Sequence, residues 1–114
     1  MDALTSVVIA KALDGLTARA EATAANIANA NSPGYRPMRV DFEEALRSAA
    51  GRGADAVAAV RPTTSWGVTP AFGTEARLDL ELATASETSL RFAALIDVLG
   101  REMGLMRAAI AGGR

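Results

Sequence analysis

Asp41, Glu43 and Glu44 form the densest set of side chains in the sequence that could serve as general acid and base. Carboxylates gathered in this way suit hydrolysis. They also suit a helix start. Asp41 fits the N-cap of a helix beginning at Phe42, Glu44 three residues later fits a capping box, and acids in a first turn meet the positive end of the helix dipole. The second explanation is the cheaper one, so no catalytic residue is expected. The chain has no His and no Cys. This removes imidazole acid–base chemistry, thiol nucleophiles and His- or Cys-based metal sites, and no cofactor or metal is expected. Trp66, the single Trp, reads as a packing residue. Asn26, Asn29 and Asn31 make another polar group. Their amides donate and accept, so they can bridge backbones where water is excluded; taken alone, they read as solvated residues at a helix end.

The elements that must carry these residues are mainly helical. In residues 3–30, Ile9, Leu13, Leu16, Ala20, Thr23, Ile27 and Ala30 follow one another at alternating steps of four and three, the heptad seam of a coiled coil. Such a helix spans roughly 40 Å. It should end at residues 29–31, because Asn tolerates left-handed backbone and Pro33 disfavours helical geometry at Ser32. Ser32-Pro33-Gly34-Tyr35 fits a type II turn with Gly34 at the position that needs positive φ. A short helix is expected over 42–49. Residues 51–77 hold Pro62, Pro70, Gly67 and Gly73, and read as irregular with possible short strands at 57–60 and 66–68.

From Asp79, a plausible N-cap, to Ile110 the pattern is helical again. Leu82, Ala85, Ser89, Phe92, Ile96, Leu99, Met103, Met106 and Ile110 form a second seam at steps of three and four. Leu90, Leu95, Val98 and Leu105 lie off it, so the apolar face is wider than a two-stranded coil needs. Leu95, Val98 and Leu105 are therefore candidate contacts with neighbouring molecules, since a contiguous exposed apolar face marks an interaction surface.

Composition agrees with helix packing. Half of the 114 residues are hydrophobic but only 4% are aromatic, which favours closely packed helices over a thick core. The formal net charge of -1 lacks the positive field that nucleic acid requires. No stretch approaches the roughly 20 apolar residues of a membrane span. The N-terminus does not read as a secretory signal, because Asp2 stands where basic residues should and Lys11 interrupts a short apolar run.

The stretch Asn26-Ile27-Ala28-Asn29-Ala30-Asn31-Ser32-Pro33-Gly34-Tyr35-Arg36 closely resembles the N-terminal signature of flagellar rod and hook axial proteins, with Ser32 where Thr is usual. Val40-Asp41-Phe42-Glu43 with Leu46, and Leu90-Arg91-Phe92 with Ala94-Leu95 and Ile110, resemble the proximal rod members of that family. Distal rod and hook subunits carry large domains between their helical ends, and the short middle here leaves no room for one.

The resemblance implies a structural subunit and no enzyme. Residues 1–35 and 78–114 would form an axial coiled-coil domain, with a short helix and connecting segment at 36–77. The assembly seam would use Leu13, Leu16, Ala20, Phe92, Ile96, Leu99, Met103 and Met106. The signature residues Asn26, Ile27, Ala28, Asn29, Ser32, Pro33, Gly34, Tyr35 and Arg36 would make the turn and the polar contacts around it. Implied partners are further copies of the chain, other flagellar rod proteins and basal-body ring or export-gate adaptors, in a homo- and hetero-oligomeric helical assembly. The implied place is the periplasmic rod, reached through the flagellar type III export apparatus without a cleaved signal. The alternatives are another short proximal rod protein, or a generic helical adaptor or secretion chaperone; the latter explains the helices but not the signature.

Overall fold

Helix α1, Ala3–Ala28, opens the chain. Asp2 caps it by accepting from Thr5 N at 2.7 Å, which satisfies one of the free amides of the first turn. The computed structural model describes residues 1–67 and 78–113. After α1 come strand β1 (Met38–Asp41), helix α2 (Glu43–Ala50), helix α3 (Ala54–Ala58), strand β2 (Thr63–Trp66) and helix α4 (Leu78–Gly112). The protein is mainly helical, with long first and last helices and short elements between them. Among the described residues no helix is long and apolar enough to cross a membrane.

The two long helices run antiparallel. The Met1 amino group contacts Glu102, Leu16 and Phe92 line one depression, and Asn26 reaches Glu81. With 35 residues, α4 is about 52 Å long and outruns the 26-residue α1. The result is an elongated molecule of 68 × 27 × 13 Å.

The core sits to one side of this pair. Leu16 and Ala22 of α1, Val40 of β1, Phe42, Leu46 and Ala49 around α2, and Val57 of α3 form its buried cluster. Only Glu81 and Thr88 of α4 are fully buried, both polar. Phe92 and Leu95 of α4 reach the core partly buried. The last helix is thus attached along its length by few apolar contacts.

Several local expectations are corrected. Asp41 does not cap α2. It pairs with Thr63 in the antiparallel β1–β2 ladder, so its backbone is committed to the strand, and Phe42 takes the cap position without a side-chain hydrogen bond. Residues 57–60 do not form a strand. Gly53, at φ +106, breaks the chain after α2, and α3 then turns Val57 fully into the core. The second strand is Thr63–Trp66, earlier than expected, and Val68 lies outside the described residues. The strand at residues 38–41 carried no signal of its own beyond alternation. Asp79 lies in the first turn of α4, which already starts at Leu78. Asn29 ends α1 at φ -104, without left-handed backbone.

Candidate functional site

The turn expected after α1 is present. Tyr35 N donates to Ser32 O at 3.2 Å, and Gly34 takes φ +77, the value that a type II turn demands of its third residue. Asn29 steadies the approach. Its Nδ2 donates back to Ala25 O at 2.9 Å and its Oδ1 accepts from Ser32 Oγ at 3.2 Å. Arg36 Nε donates to Gly67 O at 2.8 Å, and Gly67 N donates to Pro37 O at 2.8 Å. The turn is thereby tied to the end of β2.

Asn26 is the centre of the arrangement. It is 3% exposed and fills its whole hydrogen-bonding capacity. Nδ2 donates to Met38 O at 2.9 Å and to Glu81 Oε2 at 3.1 Å. Oδ1 accepts from Met38 N at 2.8 Å and from the Tyr35 hydroxyl at 2.9 Å. Arg39 Nη1 then donates to the other oxygen of Glu81 at 2.8 Å. One amide therefore locks three segments: α1, the chain leaving the turn, and the first turns of α4. The Tyr35 ring folds back so that its hydroxyl is satisfied, as a half-buried Tyr requires.

A second clamp lies two turns earlier on α1. Arg19 forms a forked pair with Glu43, both contacts at 2.7 Å, and its Nη2 and Nε donate to Val40 O at 2.7 and 3.2 Å. The guanidinium also sits 4.9 Å from the centre of the Phe42 ring, within cation–π range. The fork holds the Glu43 carboxyl down to about 2, with the hydrogen bonds from Arg19 as the main cause, and raises the Arg19 pKa. Beneath the ring lies Gly15. A β-carbon there would stand 2.4 Å from Phe42 Cδ1. The Gly that weakens α1 as a helix is what lets Phe42 lie against it.

The three carboxylates that opened the case for catalysis do not converge. Glu43 faces Arg19 and Arg91, Glu44 pairs with Arg47, and Asp41 is exposed on β1. Trp66 is 56% exposed on β2.

Leu16 is buried and Leu13 half-buried on α1, whereas Ala20 is exposed; Ile27 is half-buried and Ala28 exposed. On α4, Phe92, Leu95 and Leu99 are half-buried, while Ile96, Val98, Met103, Leu105 and Met106 are exposed. The stripe of α4 nearest α1 runs through Glu81, Thr88, Phe92, Leu95 and Leu99, not through Ile96. Leu95 is packed against the chain's own core. Glu81, Arg39 and Arg19 are not singled out by the sequence, and Gly15 reads there only as a weak point of the helix. Acids near a helix start and a lone Arg among alanines carry no distinguishing pattern.

The geometry defines a structural device: two polar clamps that fix how the chain leaves one long helix and where a second long helix lies beside it. A family model described as flagella basal body rod protein matches residues 10–36. That stretch holds Gly15, Arg19, Asn26 and the whole turn to Arg36. No curated protein matches the chain.

Proposed function

We propose that this chain is a structural subunit of the bacterial flagellar basal-body rod, of the proximal, FlgB-like kind. The observation that carries the reading is the coincidence of the rod-family match at residues 10–36 with the Asn26-centred lock. Asn26 and Tyr35 of the signature, together with Met38 and Glu81, bind α1, the chain leaving the turn and α4 to one another. In this reading residues 1–35 and 78–114 form the axial coiled-coil part, and 36–77 form the connecting part that clamps onto it. Copies assemble helically with other rod proteins and with ring or export-gate adaptors, line the export channel and transmit torque to the hook. The exposed apolar residues of α4 support assembly, since a monomer gains nothing from displaying them. The protein reaches the periplasmic rod through type III export.

Purified basal bodies from cells carrying a tagged copy test this. The chain should co-purify with the rod and be traceable in its density, and cells lacking it should be non-motile with basal bodies that have no rod. Absence from purified basal bodies, or recovery only in a small complex of fixed stoichiometry as for a chaperone, would overturn the proposal.

A further inference from the structure

The small sheet has two edges, and they are not alike. Among the described residues it consists of β1 and β2 alone. The register pairs Met38 with Trp66, Arg39 with Ser65, Val40 with Thr64 and Asp41 with Thr63. One step before Met38, Gly67 N donates to Pro37 O at 2.8 Å. Hydrogen-bonded and non-hydrogen-bonded pairs alternate along an antiparallel ladder. Arg39 and Asp41 therefore exchange their backbone bonds with β2. The backbone groups of Met38 and Val40 point the other way.

A third strand would take those outward groups, and α1 takes them instead. The Asn26 amide accepts from Met38 N at 2.8 Å and donates to Met38 O at 2.9 Å. This is the reciprocal pair of bonds that an opposing strand residue would make. Arg19, two turns earlier on α1, donates twice to Val40 O, at 2.7 and 3.2 Å. β2 brings no comparable support. All four of its residues are exposed, so no buried side chain of its own holds it down. A two-stranded ribbon by itself is marginal in water.

We propose that the β1–β2 ribbon is a conditional element: Asn26 and Arg19 stand in for a missing third strand, and the ribbon is ordered only while α1 lies against it in this register. The position of a long helix is thereby read out in the connecting segment. Turning or withdrawing α1 removes both side chains at once, frees the outer edge of β1 and releases β2 with it. The tie from Asn26 to Glu81 is a separate use of the same side chain. This coupling is independent of the rod reading.

Amide hydrogen exchange of the full chain tests it at Arg39, Asp41, Thr63 and Ser65, whose N–H groups face across the ladder. Asn26→Leu keeps the bulk of the side chain and loses both bonds to Met38. Protection of the four ladder amides should fall by about ten- to a hundredfold, as two net hydrogen bonds imply, while amides in the middle of α1 and in α2 keep theirs. The emission of Trp66, the single Trp, should move toward that of the unfolded chain. Glu81→Ala cuts the tie to α4 but spares the Asn26–Met38 pair, and should leave the ladder protected. A second pair of variants reads the other prop. Arg19→Met and Glu43→Gln both weaken the Arg19–Glu43 fork, but only Arg19→Met uncovers Val40 O, so only it should unprotect the ladder. Unchanged ladder protection in Asn26→Leu and Arg19→Met would mean that the ribbon stands alone and would overturn the proposal. So would an equal loss in Glu81→Ala and Glu43→Gln, or a parallel loss throughout α1 and α2, because the effect would then belong to the clamps or to global stability.

Discussion

Replacing Asn26 by Ala strands four groups at once: the Met38 N–H and carbonyl, the Tyr35 hydroxyl and one oxygen of Glu81. Each buried group left unpaired costs about 1–3 kcal/mol. The sum is moderated because the rim of the site is open to water on the Arg39 side. Asn26→Ala should therefore lower stability by about 3 kcal/mol. Asn26→Asp is the sharper probe. It keeps the shape but sets a carboxylate against Glu81 and against the Met38 carbonyl. Its deficit should be largest at neutral pH and shrink in acid, as one of the two carboxyls takes a proton. Thermal unfolding of both variants across pH checks this, and a pH-independent deficit for Asn26→Asp would mean that Glu81 is not its neighbour. At this scale the sequence was legible only in part. The turn followed from Pro33 and Gly34, because ring closure and a missing β-carbon act locally. The partners of Asn26 did not follow, because Glu81 is 55 residues away and nothing local marks it.

The short elements are set by one aromatic ring. Phe42 is 5% exposed, lies on Gly15 and carries Arg19 above it. This explains why the helix expected from Phe42 starts one residue later, at Glu43: the ring's burial, not an acidic cap, fixes the start of α2. Gly15→Ala should gain about 1 kcal/mol of helix propensity. It must also push Phe42 aside in a packed cluster, at about 1–3 kcal/mol. The expected net effect is a loss of about 1 kcal/mol in denaturant unfolding, largely recovered in Gly15→Ala/Phe42→Leu, where the smaller side chain makes room. Simple addition of the two single effects would show that they do not touch.

The Arg19–Glu43 fork gives the same elements a pH dependence. Glu43 titrates at about 2 in the folded chain, against 4.5 for an ordinary Glu. Its contribution is thus fully present above about 4.5 and is lost as pH falls toward 2. Glu43→Gln should be less stable than wild type at neutral pH, and the gap should close through that acid window. The gap should also narrow in salt, since the carboxylate is 41% exposed. A gap that persists below the window would assign the loss to packing. Heptad spacing foretold both long helices because it samples one face many times. The short strands and α3 escaped because four- and five-residue elements are selected by what they pack against.

At the scale of the whole molecule, α4 is held by two buried polar residues and a few half-buried apolar ones, while much of its apolar surface faces outward. Sequence spacing put Leu95 and Val98 together as outward residues, yet they now divide. Leu95 packs on the core; Val98 is 46% exposed. The spacing alone could not separate them, because α4 is rotated so that Leu95, not Ile96, continues the stripe from Phe92. The distinction makes Val98→Asp a test of assembly and Leu95→Asp its contrast. In the monomer, Val98→Asp adds a charge to a surface already carrying the Asp97–Arg101 pair, and its effect should stay within about 0.5 kcal/mol. Leu95→Asp should lower the monomer's unfolding temperature outright, by placing a carboxylate on the core. In a rod whose subunits meet through this face, Val98→Asp buries an unpaired charge at every repeat, at several kcal/mol each. The expected outcome is wild-type circular dichroism and melting for the purified Val98→Asp chain, with basal bodies that lack rods in electron micrographs. Normal rods from Val98→Asp cells would remove this face from the subunit interface, and a collapsed melting curve would place Val98 in the monomer's own packing instead.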